Sequence, residues 1–179
     1  MLPRGVVRGR KNPLHYGLPV RLRRARSAAY LSLDSLATAA GLTDGTTVFN
    51  IERKPGHLPR LDTVEKIAYA LGLSPAFLAY GIEGACPPIE QLRAGDIGSR
   101  LRLARVACGL SVLGLAQLAD ASHTAVGNIE RGGTMPSIAT VEALAKALNV
   151  SPGWLGYGIG PQTLPARRGA RPAQTAADS

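Results

Sequence analysis

Apolar residues recur along this chain at spacings of three and four. Ile97, Leu101, Ala104 and Cys108 fall at i, i+4, i+7 and i+11, and Leu18, Leu22, Ala25 and Ala29 repeat the pattern near the start, which is the period of a helix buried on one stripe. Ser111 follows Leu110 as a helix-capping residue, and Leu115, Ala116 and Ala119 then form the buried face of a short second helix. Asp120-Ala121 reads as a turn. Ser122 caps a third helix running to Arg131, with Val126 and Ile129 inward, and Gly132-Gly133 stops it. Ile138, Val141, Leu144, Ala145 and Leu148 mark a fourth helix. Ser151 and Pro152 open a fifth, the proline at a first-turn position where its missing N–H is no loss, and Trp154 and Leu155 close the core. Period-2 alternation is absent, so the pattern predicts an all-α fold.

The pattern occurs twice, at a spacing of 77 to 79 residues. Leu22-Arg23-x-Ala25-Arg26 returns as Leu101-Arg102-x-Ala104-Arg105, and Asn50-Ile51-Glu52-Arg53 as Asn128-Ile129-Glu130-Arg131. Thr63-Val64-Glu65 returns as Thr140-Val141-Glu142, and Leu73-Ser74-Pro75-x-Phe77-Leu78-x-Tyr80 as Val150-Ser151-Pro152-x-Trp154-Leu155-x-Tyr157. Each unit has roughly 65 residues, a size at which small domains fold alone. The predicted organisation is a basic N-terminal arm (1–16), a first domain (17–83), a Pro-containing linker (84–95), a second domain (96–160) and a tail (161–179) expected to be disordered.

Charge sharpens this picture. The formal net charge is +9, and residues 1–26 hold Arg4, Arg8, Arg10, Lys11, Arg21, Arg23, Arg24 and Arg26 without one acid, which points to a polyanionic partner. No apolar run approaches the roughly 20 residues of a membrane span, and no apolar segment follows the basic start as a signal peptide requires. A cytoplasmic, nucleoid-associated protein is expected. Cys86 and Cys108 lie in no metal-ligand spacing and are expected to be free thiols. No phosphate loop, metal set or catalytic triad is legible, so neither an enzyme nor a cofactor is expected.

The second unit resembles the lambda-repressor-like (phage repressor and Cro, XRE-type) helix-turn-helix family. The resemblance rests on Arg102-Leu103-Ala104-Arg105, Gly109-Leu110-Ser111, Leu115-Ala116, Ser122, Ile129-Glu130-Arg131-Gly132, Pro136-Ser137, Leu144-Ala145, Ala147-Leu148 and Val150-Ser151-Pro152-x-Trp154-Leu155, and the first unit shares most of it. It implies two tandem five-helix domains, each placing its third helix in the DNA major groove with the second helix across the backbone. Carried over, the base-facing positions are Ser122, His123, Thr124 and Asn128 in the second unit. In the first they are Thr43, Thr46 and Asn50, with one extra residue around Asp44-Gly45. The family's pairing of the last Arg of helix 1 with the Glu ending helix 3 implies ion pairs Arg26 to Glu52 and Arg105 to Glu130. These would be structural.

For phosphates, the candidates are the arm residues Arg4, Arg8, Arg10 and Lys11, then Arg53, Lys54, His57 and Arg60 after the first recognition helix, and Arg131 after the second. For bases, Asn50 and Asn128 either pair with adenine or sit on a solvated helix face. The family commonly opens helix 2 with a phosphate-bonding Gln, whereas this chain has Leu33 and Val112. With Leu113 these residues enlarge an apolar face, which either packs inside the molecule or binds another protein. The leading expectation is a DNA-binding transcriptional regulator, a repressor, working as a covalent pseudo-dimer on duplex DNA. The alternative is a regulatory protein-interaction module with degenerate helix-turn-helix domains, and a third option is non-specific DNA compaction driven by the arm. Homodimerisation through helix 5 is a further possible interaction.

Overall fold

The computed structural model describes residues 13–85 and 96–163, and among them it is all-helical with no strand. In the first half a 3-10 turn, Leu14–Gly17, leads into α1 (Leu18–Ala28), α2 (Leu33–Ala39), α3 (Thr46–Arg53), α4 (Leu61–Ala70) and α5 (Pro75–Tyr80). The second half runs α6 (Ile97–Ala107), α7 (Val112–Leu118), α8 (His123–Glu130), α9 (Ile138–Ala147) and α10 (Pro152–Tyr157).

Local chemistry explains the boundaries. Ser32, Ser74, Ser111, Ser122, Ser137 and Ser151 each cap a helix, the hydroxyl accepting from the N–H three residues on, which satisfies one of the donors a helix start leaves open. Gly81 and Gly158 end α5 and α10 in the left-handed region. The stripes drawn on the first helix of each half stop one turn early, because Ala29 and Cys108 are exposed. Both helices have ended by then, and the chain turns away through left-handed residues, Tyr30 at φ 56 and Gly109 at φ 65.

In each half the first helix lies on the third, α1 on α3 and α6 on α8. The halves meet where α5 packs on α10, and the buried apolar residues of both form one continuous cluster. The seam is reciprocal. Leu61 N donates to Pro136 O at 2.9 Å and Ile138 N to Pro59 O at 3.1 Å; the buried Tyr80 hydroxyl donates to Ile138 O at 3.0 Å and the buried Tyr157 hydroxyl to Leu61 O at 3.2 Å. Burial pushes both phenols well above the usual tyrosine range. Two arginines complete the symmetry at the helix C-termini, where exposed carbonyls attract cations. Arg21 donates to Leu78 O (2.8 Å) and Ala79 O (2.6 Å), and Arg100 to Leu155 O (2.8 Å) and Gly156 O (2.6 Å). Burial pulls the Arg21 guanidinium below its ordinary range.

Residues 13–16, read from sequence as the end of the arm, belong to the folded body. Leu14 N and His15 N donate to the Glu142 carboxylate of α9 at 2.6 and 3.0 Å, and His15 Nδ1 lies 2.7 Å from it. The 3-10 turn brings successive N–H groups to one carboxylate while Leu14 packs against the core. Arg4, Arg8, Arg10 and Lys11 lie outside the described residues, as do Cys86, most of the linker and the tail from 164.

Candidate nucleic-acid interface

The candidate interface of the second half comprises α7, the turn through Asp120 (φ 52) and α8. Val126 and Ile129 are buried and anchor α8 inward. Its C-terminal end is fixed twice. A Cβ on Gly98 would stand 2.6 Å from Ile129 O and 2.9 Å from Glu130 O, so α6 crosses in direct backbone contact. Arg105 donates to Glu130 through Nε and Nη2, and that hydrogen bonding raises the Arg105 pKa. With the inward side settled, the 3.6-residue period puts Thr124, Asn128 and Arg131 on one outward face, with Thr124 and Arg131 exposed and Asn128 half-buried. His123 and Ser122 are exposed at the helix start, and the Ser122 hydroxyl accepts the Ala125 N–H.

The first half is built likewise. Val48 and Ile51 are buried, and Arg26 grips Glu52 through Nε at 2.7 Å and Nη2 at 2.8 Å, which raises the Arg26 pKa. The start of α3 differs. Gly45 N donates to Asp34 Oδ1 at 2.9 Å and Thr46 N to Asp44 Oδ1 at 2.8 Å. Gly45 therefore stands at the cap of α3 without a side-chain acceptor of its own, where Ser122 caps α8, and two carboxylates, Asp34 and Asp44, lie at the starts of α2 and α3. The extra residue lies in the turn before α3, which leaves Thr43 exposed in that turn, off the helix. Thr46, Phe49, Asn50 and Arg53 share the outward face of α3, with Phe49 44% exposed.

A two-point grip on adenine needs both edges of a carboxamide facing the groove. The Asn50 Oδ1 is buried without a hydrogen-bond partner, and the Asn128 Oδ1 accepts from Arg131 Nη2 at 2.7 Å. In this arrangement neither oxygen is presented. Arg53, Lys54, His57 and Arg60 are exposed around the loop after α3, with Arg60 3.4 Å from Asp62 in an exposed pair. Leu33 and Val112 are partly buried against the core, whereas Leu113 is 55% exposed; the apolar face of helix 2 is therefore split between interior and solvent. Gly98, Phe49 and Gly127 did not figure among the sequence candidates. The repeat carries the signal for the last two, because its alignment sets Phe49 against Gly127.

Among the described residues no cluster of His, Cys, Asp and Glu is arranged to hold a metal ion, and no single helix is long and apolar enough to cross a membrane. No curated protein and no solved structure matches the chain. A family model described as helix-turn-helix matches residues 101–155. That segment begins in α6, ends in α10 and encloses α7, the Asp120 turn and α8, so the part of this chain that carries Thr124, Asn128 and Arg131 is the part that is similar to a helix-turn-helix.

Proposed function

We propose that the chain is a DNA-binding transcriptional regulator whose halves are two lambda-repressor-like helix-turn-helix domains acting as a covalent pseudo-dimer, and that it represses by occluding its site. The observation that carries this reading is the reciprocal seam: exchange of Leu61–Pro136 for Ile138–Pro59, and of Tyr80–Ile138 for Tyr157–Leu61, relates one half to the other. On this reading α3 and α8 form a related pair that would enter successive major-groove faces of one duplex. Linking the two units raises the effective concentration of the second once the first has bound. The helix-5 faces are occupied by each other within the chain, so one chain per site is expected. The protein works in the cytoplasm on nucleoid DNA, without catalysis or cofactor.

The test is selection of the purified full chain against a randomised duplex library, followed by titration of selected and scrambled duplexes at two salt concentrations. A selected duplex is expected to outbind the scrambled one by about a thousandfold, with one chain per duplex. Equal binding of both, collapsing together as salt rises, overturns the reading.

A further inference from the structure

Arg131 follows α8 in the chain, but its guanidinium lies back along the helix. Nη2 donates to Asn128 Oδ1 at 2.7 Å, and a Cβ built on Gly127 would stand 3.3 Å from Nη1, 3.5 Å from Nη2 and 3.7 Å from Cζ. Gly127 is itself buried, between exposed Thr124 and half-buried Asn128, and the guanidinium packs over its bare backbone, near enough that a Cβ there would press on Nη1 and a larger side chain would displace it. The charged fork is thereby held on the outward face of α8, between Thr124 and the helix end. It is not extended towards the loop.

The first half has the same Asn and Arg at the same repeat positions, Asn50 and Arg53. Phe49 occupies the place of Gly127 and is 44% exposed, and the Asn50 oxygen has no donor. The arrangement around Arg131 is therefore specific to α8.

We propose that Arg131 reads a guanine in the half-site under α8, with Asn128 and Gly127 as its positioning residues, and that Arg53 makes no such contact in the half-site under α3. This rests on the DNA-reading function proposed above. The chemistry follows from the fork. Guanine presents O6 and N7 as two acceptors in the major groove, matched by two guanidinium N–H groups, whereas adenine presents an N6–H donor where guanine has O6. A guanidinium already anchored by Asn128 has fewer rotamers to lose on meeting the base.

The experiment uses the full chain and its selected duplex, changing each G·C pair to A·T and replacing each guanine by 7-deazaguanine. For the unmodified chain, one position under α8 should show a loss of about 5- to 150-fold on the A·T change, and a loss at the same position on removal of N7. Arg131→Lys keeps the charge but lacks the fork, and should reduce both penalties to less than about threefold while weakening the selected duplex far more than scrambled DNA. Gly127→Phe, which copies the first half, should do the same with Arg131 still present; circular dichroism and a thermal melt establish that it is folded. The inference is overturned if Arg131→Lys retains the guanine preference, or if it weakens selected and scrambled duplexes equally, as a phosphate contact would. Failure of the unmodified chain to select any duplex overturns the underlying function as well, and so is distinguishable.

Discussion

Arg105 joins the end of α6 to the end of α8 by two hydrogen bonds to Glu130, at 2.6 and 2.9 Å, while its Nη1 donates to Leu110 O at 2.8 Å. Arg26 makes the same three contacts in the first half, to Glu52 at 2.7 and 2.8 Å and to Leu31 O at 2.9 Å. One guanidinium thus ties the first helix, the start of the second and the end of the third. The Glu52 side chain is 1% exposed and that of Glu130 9%, so neither carboxylate can recover its hydration if the arginine is removed.

Removing one partner of such a pair leaves a buried charge uncompensated and costs about 3–5 kcal/mol. Arg26→Met and Arg105→Met are each expected to lower unfolding stability by this order in urea melts, with Arg105→Met the more severe, because Arg23 Nε still lies 3.8 Å from Glu52 Oε2 when Arg26 is removed. Replacing both partners, Arg26→Met with Glu52→Leu, is expected to recover most of the loss, since no charge then remains buried. A double mutant no more stable than the single one would mean that the pair is not what holds the helices.

The seam is tested through Tyr80 and Tyr157. Each phenylalanine substitution removes one buried hydrogen bond and should cost about 1 kcal/mol. A pH dependence accompanies it. The folded state holds both phenol protons beyond the pH at which an unfolded tyrosine loses its own, about 10. The stability they contribute is therefore fully present below about pH 10 and is lost as pH rises towards the elevated folded values. Unfolding measured from pH 9 to 12 should show a steeper decline for the unmodified chain than for Tyr80→Phe/Tyr157→Phe.

Gly98→Ala sets two effects against each other. Alanine gains about 1 kcal/mol of helix propensity over glycine, but its Cβ would meet backbone oxygens at 2.6 and 2.9 Å, and such overpacking typically costs 1–3 kcal/mol. Backbone cannot swing aside as a side chain can, so net destabilisation is expected, together with weaker DNA binding as α8 is pushed outward. An unchanged melting temperature would contradict the close crossing.

Glu142→Ala deletes the acceptor for Leu14 N and His15 N. Hydrogen exchange should show loss of protection at these two amides while amides in the middle of α4 and α9 stay protected. Equal loss throughout α9 would instead make Glu142 a general support of the second half.

The helices themselves were legible in the sequence because their causes are local. Periodicity at three and four residues, serines at helix starts and glycines at helix ends act within one or two turns, and the helices around Val126, Ile129, Val141 and Leu144 follow from them. The Arg–Glu partners came from the resemblance, and the geometry places them together. Local signals also misled: Cys108 and Ala29 continue an apolar stripe in spacing, yet each follows the last helical residue and is exposed. What only the tertiary structure decided involves contacts between residues far apart in the chain, such as Tyr157 to Leu61 and His15 to Glu142. Periodicity identifies a buried face but not what covers it, so the seam between α5 and α10 was not readable. The same holds for the outward face of α8. The sequence placed Asn128 and Arg131 there or beside it, but which carboxamide edge is free depends on the bare backbone at Gly127, and a side chain's direction is set by the space its neighbours leave.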